Sequence, residues 1–194
     1  KPTGYGRAVN ARITGELARH GVVIVSGLAY GIDVCAHRAA LRTGLPTVGV
    51  LAHGLDRIYP ATHRATAADM ALRGGLLTDY PSGTNPVPEN FLRRNRLIAA
   101  LADATVIIES PVRSGALSTA AYAQGYQRRV FACPARVTDE LSLGCLHLIA
   151  ERRARLISSA ADLCEMMGWA PSEKRVKATS SASAPSTSQH PSTA

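Results

Sequence analysis

Hydrophobic positions along the chain follow two alternating periods. Residues 5–20 place Val9, Ile13 and Leu17 at i, i+4 and i+8, one face of a helix. Residues 22–26 follow as a short apolar run between glycines, the pattern of a parallel strand buried on both faces. The alternation continues, predicting helices over residues 32–43, 62–73, 91–102, 115–127, 144–153 and 159–167. Strands are predicted over residues 47–51, 76–79, 104–109, 129–132 and 155–157. Strands separated by helices join through right-handed crossovers into a parallel sheet covered on both faces. The predicted fold class is α/β: a doubly wound, Rossmann-like, mostly parallel sheet with helices on both faces. Ligands of such sheets bind beyond the carboxyl ends of the strands. That rule selects the loops at 27–31, 52–60, 81–90 and 110–114.

The ends depart from this pattern. A doubly wound unit begins with a strand, but here a loop and helix come first, so residues 1–168 read as an N-terminally truncated Rossmann-like domain. From residue 169 the composition shifts to Ser, Thr, Pro and Ala. Such a segment cannot bury enough apolar surface to order itself, so residues 169–194 read as a disordered tail or linker. No apolar run approaches the ~18 residues of a membrane span, and no basic-then-apolar leader opens the chain. The expectation is a cytoplasmic protein without a membrane partner.

Charge narrows the partners. Lys and Arg total 22 against 14 Asp and Glu, a net charge of +8 that draws polyanions but does not by itself select nucleic acid. The cysteines, Cys35, Cys133, Cys145 and Cys164, form no CxxC pair and read as thiols in a reducing compartment. The histidines are scattered without metal-binding spacing, and no Ser/His/Asp order or carboxylate pair is compelling. The expectation is therefore no catalytic residue, no metal and no cofactor.

Three segments carry candidate chemistry. In the first, Ser26 and Gly27 end a strand and a glycine-rich turn leads through Gly31 into a helix, where exposed N–H groups favour a phosphate. The plain alternative is a tight strand-to-helix turn. Asp33 and His37 stand at i, i+4 in that helix, more simply a helix-start carboxylate bonded to a neighbour than an acid–base pair. The second segment is Phe91, Arg93, Arg94, Asn95 and Arg96, placed at a predicted helix start. Guanidinium groups grip phosphate in bidentate fashion, and an adjacent aromatic can stack on a base. Arginine at a helix amino end opposes the dipole, which hints at a use beyond folding. The third holds Arg113, Ser114, Gly115, Ser118 and Thr119. Its hydroxyls could meet phosphate oxygens and Gly115 admits close backbone approach; the plain alternative is a serine helix cap.

These blocks, in this order, resemble the DprA/Smf family. Residues 26–37 (SGLAYGIDVCAH), 49–60 (GVLAHGLDRIYP), 91–109 (FLRRNRLIAALADATVIIE), 114–123 (SGALSTAAYA) and 130–149 carry the resemblance, which runs from about Lys1 to Met167. Ala135 and Arg153 stand where the family commonly has glycine, and Leu146 where it often has asparagine. The resemblance implies a single-stranded DNA-binding, recombination-mediator protein that is not an enzyme. It also implies protection of incoming DNA, loading of the RecA recombinase during natural transformation, and a homodimer. The family's first strand, ending in Gly-Ser-Arg, would precede Lys1, and a C-terminal winged-helix domain is common. The alternative is a nucleotide-binding or phosphoribohydrolase-like enzyme of the same fold group. The PGGxGTxxE motif of cytokinin-activating phosphoribohydrolases, laid on residues 114–122, meets Tyr122 in place of its glutamate.

Overall fold

The computed structural model describes residues 1–172. The tail expected over residues 169–194 thus lies outside the described residues from position 173 onward. Its first residues pack on the domain: Trp169 contacts the core, and the Ser172 N–H donates to Arg19 O at 2.7 Å.

The described residues form seven α-helices and six strands in the predicted order. They are α1 (Gly4–Glu16), β1 (Ile24–Ser26), α2 (Ile32–Arg42), β2 (Thr47–Val50), α3 (Arg64–Arg73), β3 (Gly75–Leu77), α4 (Pro88–Leu101), β4 (Ala104–Ile107), α5 (Gly115–Gly125), β5 (Arg129–Ala132), α6 (Leu143–Ala150), β6 (Arg155–Leu156) and α7 (Ala160–Met167). Most boundaries differ from the sequence reading by one to three residues. Residues 17–20, for example, continue α1 as a 3₁₀ turn. The difference at α4 matters most. Pro88 occupies the first turn, where its missing N–H costs nothing, and Glu89 beside it suits the dipole. Phe91 therefore does not start the helix. The arginines at 93–96 stand beyond its first turn, so the argument from dipole opposition does not apply to them.

All strand pairings are parallel, in two ladders ordered β1-β2-β3 and β4-β5-β6. What joins the ladders is packing rather than hydrogen bonds between β1 and β4. Ile13 of α1 and Leu17 of the 3₁₀ turn after it meet Ile24 of β1, Val106 of β4 and Phe131 of β5 in one cluster, which also takes Leu163 of α7. The strand period of two is visible in β5. Phe131 faces α1 and α7, whereas Val130 and Ala132 face a second cluster with Ala99 of α4, Ala120 and Ala123 of α5, and Leu148 of α6. Helices on both faces of parallel strands make this the expected doubly wound α/β fold. Three of the four cysteines are buried, and burial pushes the Cys133 thiol up to about 12 and Cys145 to about 11. Among the described residues no helix is long and apolar enough to cross a membrane.

Candidate nucleic-acid interface

The carboxyl ends of β1 and β2 meet around one buried guanidinium. Arg94 is 3% exposed. Its Nη1 donates to Gly27 O at 2.9 Å and also to Val50 O, so one side chain of α4 binds the carbonyl just past β1 and the last carbonyl of β2. Its Nε donates to Asn95 Oδ1 at 3.3 Å, and the guanidinium carbon lies 5.7 Å from the Phe91 ring centroid. Burial lowers the Arg94 pKa from its ordinary value, partly offset by the field of Asp33 and Tyr80. Gly27 is required by this contact: a Cβ there would overlap the guanidinium. Nη1 of Arg94 is thus a clasp between the ends of the two strands.

Under the turn at 27–31 lies a polar chain that accounts for Asp33 and His37 separately. Asp33 accepts from Ser26 Oγ at 2.8 Å, Gly27 N at 3.2 Å and Ala29 N at 3.4 Å, so it folds the turn onto the start of α2. His37 is fully buried. The Leu28 N–H donates to its Nε2 at 3.3 Å, so Nδ1 carries the proton and donates to Thr47 Oγ1 at 2.7 Å. Thr47 Oγ1 in turn donates to Ile24 O at 2.9 Å. Every group in this chain is satisfied by a neutral imidazole, and a second proton would face the Leu28 N–H. Burial, aided by the fields of Arg94 and His63 and opposed by that of Asp33, holds the His37 pKa down to about 4. His63, also buried, bonds Leu28 O through Nδ1 at 2.8 Å, which fixes Leu28 at φ 56°.

Asn95 connects this corner to α5. It is 7% exposed, and its Nδ2 donates to Gly115 O at 3.1 Å and to Ser118 Oγ at 2.9 Å. Ser118 Oγ and Thr119 Oγ1 both donate to Gly115 O, at 2.7 and 3.4 Å, so both hydroxyl protons are used inside the helix start. Ser114 does not cap α5. It pairs with the buried Ser110 hydroxyl at 2.6 Å. Two of the predicted arginines remain open: Arg93 and Arg113 are exposed and make no hydrogen bond or ion pair among the described residues. Arg96 forms a surface ion pair with Asp79. Of the predicted residues, then, Gly27, Arg94, Asn95 and Thr119 are buried; Arg93, Arg113 and Gly115 face solvent; Ser26, Phe91, Arg96, Ser114 and Ser118 lie between.

The sequence model for DNA recombination-mediator protein A matches residues 1–168. The chain belongs to that family. It is 47% identical over 166 residues to the DNA processing protein DprA of Mycobacterium tuberculosis, covering 86% of this chain and 42% of that protein. Among solved structures, it resembles DNA processing protein A of Streptococcus pneumoniae at a TM-score of 0.77 and 37% identity, over 84% of this chain and 57% of that one. It resembles DNA processing protein A of Helicobacter pylori, a structure that gave insight into its single-stranded DNA binding mode, at a TM-score of 0.78 and 33% identity. That match covers 86% of this chain and 75% of the H. pylori chain. The chain thus spans less than half the length of the M. tuberculosis relative.

Two tyrosines that the sequence pattern does not single out stand exposed in strand-end loops. Tyr59 stands 45% exposed with its ring 5.9 Å from Phe91, edge to face at 61°. Tyr30 is 67% exposed and rests against His63 at 5.2 Å and 70°. Both sit in blocks that carry the family resemblance. Their signal was an aromatic inside a strand-end loop, which polarity patterns do not flag. Tyr122, at the position of the phosphoribohydrolase glutamate, lies on α5 with its ring stacked on Tyr126 at 6.5 Å.

Proposed function

We propose that this chain binds single-stranded DNA across the carboxyl ends of its strands, as the DNA-binding part of a recombination mediator. The observation that carries the reading is the division of labour among four consecutive residues of α4. Arg94 and Asn95 are buried and tie β1, β2 and α5 together, while Arg93 is exposed and Arg96 only surface-paired. A rigid base that presents free guanidinium groups at strand ends suits a polyanion. Arg113 adds a second free cation two residues ahead of α5, and no side chain caps that helix. The net charge of +8 favours the same ligand. The contacts fall to Arg93, Arg113, Arg96 and the Phe91 ring. Arg94, Asn95, Ser26, Gly27, Ser118 and Thr119 shape the surface from below, with Ser114 and Gly115 at its edge.

The activity in this reading is binding rather than turnover, in the cytoplasm, with backbone contacts dominating and little sequence preference. Membership of the family supports a wider role: protecting incoming DNA, loading RecA during natural transformation, and acting as a homodimer. Titration of a labelled dT oligomer against the chain tests the core of the proposal. Binding that weakens steeply with salt is expected, and a folded chain that never binds would overturn it.

A further inference from the structure

We propose that Tyr30 and Tyr59 are base-stacking residues, so that the surface holds single-stranded nucleic acid by its nucleobases as well as by its phosphates. This rests on the DNA-binding reading above and specifies which residues meet the bases. The first observation is exposure without a packing reason. Tyr30 and Tyr59 are 67% and 45% exposed, and neither hydroxyl makes a hydrogen bond among the described residues. By contrast, the Tyr5 hydroxyl donates to Pro134 O and the Tyr80 hydroxyl to Asn90 O.

The second observation is that both rings are braced from behind. Tyr30 rests edge-on against His63, which is 4% exposed and bonded to Leu28 O. Tyr59 rests edge-on against Phe91, whose ring lies next to the Arg94 guanidinium. An edge-on brace restricts the ring while leaving a face open, so little rotamer freedom remains to be lost when a flat partner stacks on it. The braces share one foundation, because Arg94 binds Gly27 O and His63 binds the carbonyl of the next residue, Leu28. The third observation selects the partner. The chain carries a net charge of +8, and Phe91, which braces Tyr59, has the Arg94 guanidinium carbon 5.7 Å from its ring centroid. Open aromatic faces on so basic a chain match the alternating bases and phosphates of a single strand, and do not match a purely apolar partner.

The test uses the full chain and two labelled oligomers of equal length and phosphate charge, one of dT and one abasic. The wild type is expected to bind dT more tightly than the abasic strand. Tyr30→Ala and Tyr59→Ala should each weaken dT binding by on the order of tenfold and leave abasic binding unchanged. Tyr30→Phe and Tyr59→Phe should restore dT affinity, because the ring rather than the hydroxyl makes the contact. Equal wild-type affinity for the two oligomers would overturn the stacking proposal while the DNA-binding reading stands. So would alanine variants that lose dT and abasic binding in the same proportion. A wild type that binds neither oligomer would overturn both.

Discussion

Neighbouring arginines with the same charge have opposite assignments here, and burial separates them. Arg94 has Nη1 committed to Gly27 O and Val50 O and Nε to Asn95 Oδ1 inside the protein. Arg94→Ala would strand two strand-end carbonyls and is expected to cost roughly 3 kcal/mol in urea unfolding, with DNA affinity falling as a consequence. Arg93→Ala removes an exposed side chain, so stability should hold within about 0.5 kcal/mol while DNA affinity drops. Equal stability losses would show that Arg93 is also part of the fold. His37 supplies a second prediction at this scale. Its pKa falls from 6.5 to about 4 on folding, so the unfolded chain binds the extra proton first. The stability it contributes is complete above about 6.5 and is lost as pH falls towards 4. Thermal melts between pH 7 and 4.5 should show this decline, and His37→Gln should flatten it. A decline of the same size in the variant would assign it to other groups.

At the level of elements, the amino end of α5 is positioned by α4 through one amide. Asn95→Ala removes the donor to Gly115 O and Ser118 Oγ. The expected cost is about 1–2 kcal/mol, with hydrogen exchange rising in the first turn of α5 and not in α7. Unchanged exchange in α5 would show that its start is held by other contacts. This scale also shows what the sequence could and could not convey. Strand and helix order were legible because apolar periodicity records them directly, and Val9, Ile13 and Leu17 do face the core. The strand-end loops were legible because parallel topology dictates them. The roles within residues 93–96 were not. Successive helix positions turn by about 100°, so four adjacent polar residues must face different directions, and only the helix phase says which face inward. The loop-like residues ahead of Phe91 concealed that phase, although Pro88 is a good first-turn residue. Burial of Arg94 further depends on carbonyls from β1 and β2, which lie 67 and 44 positions away in the chain.

Across the whole molecule, an apolar cluster joins the two parallel ladders, and the loops at their strand ends carry the braced Tyr30 and Tyr59 and the exposed Arg113. In the proposed DNA-bound state, Arg93 and Arg113 meet phosphates. The direct measurement is anisotropy of a labelled dT oligomer across a salt series, comparing the wild type with Arg93→Ala/Arg113→Ala after circular dichroism has shown both to be folded. Each phosphate contact adds about 0.7 to the slope of log affinity against log salt for single strands. The double variant should therefore bind more weakly, with a slope shallower by about 1.4. A double variant with wild-type affinity and slope would contradict the claim and place the DNA elsewhere on the protein.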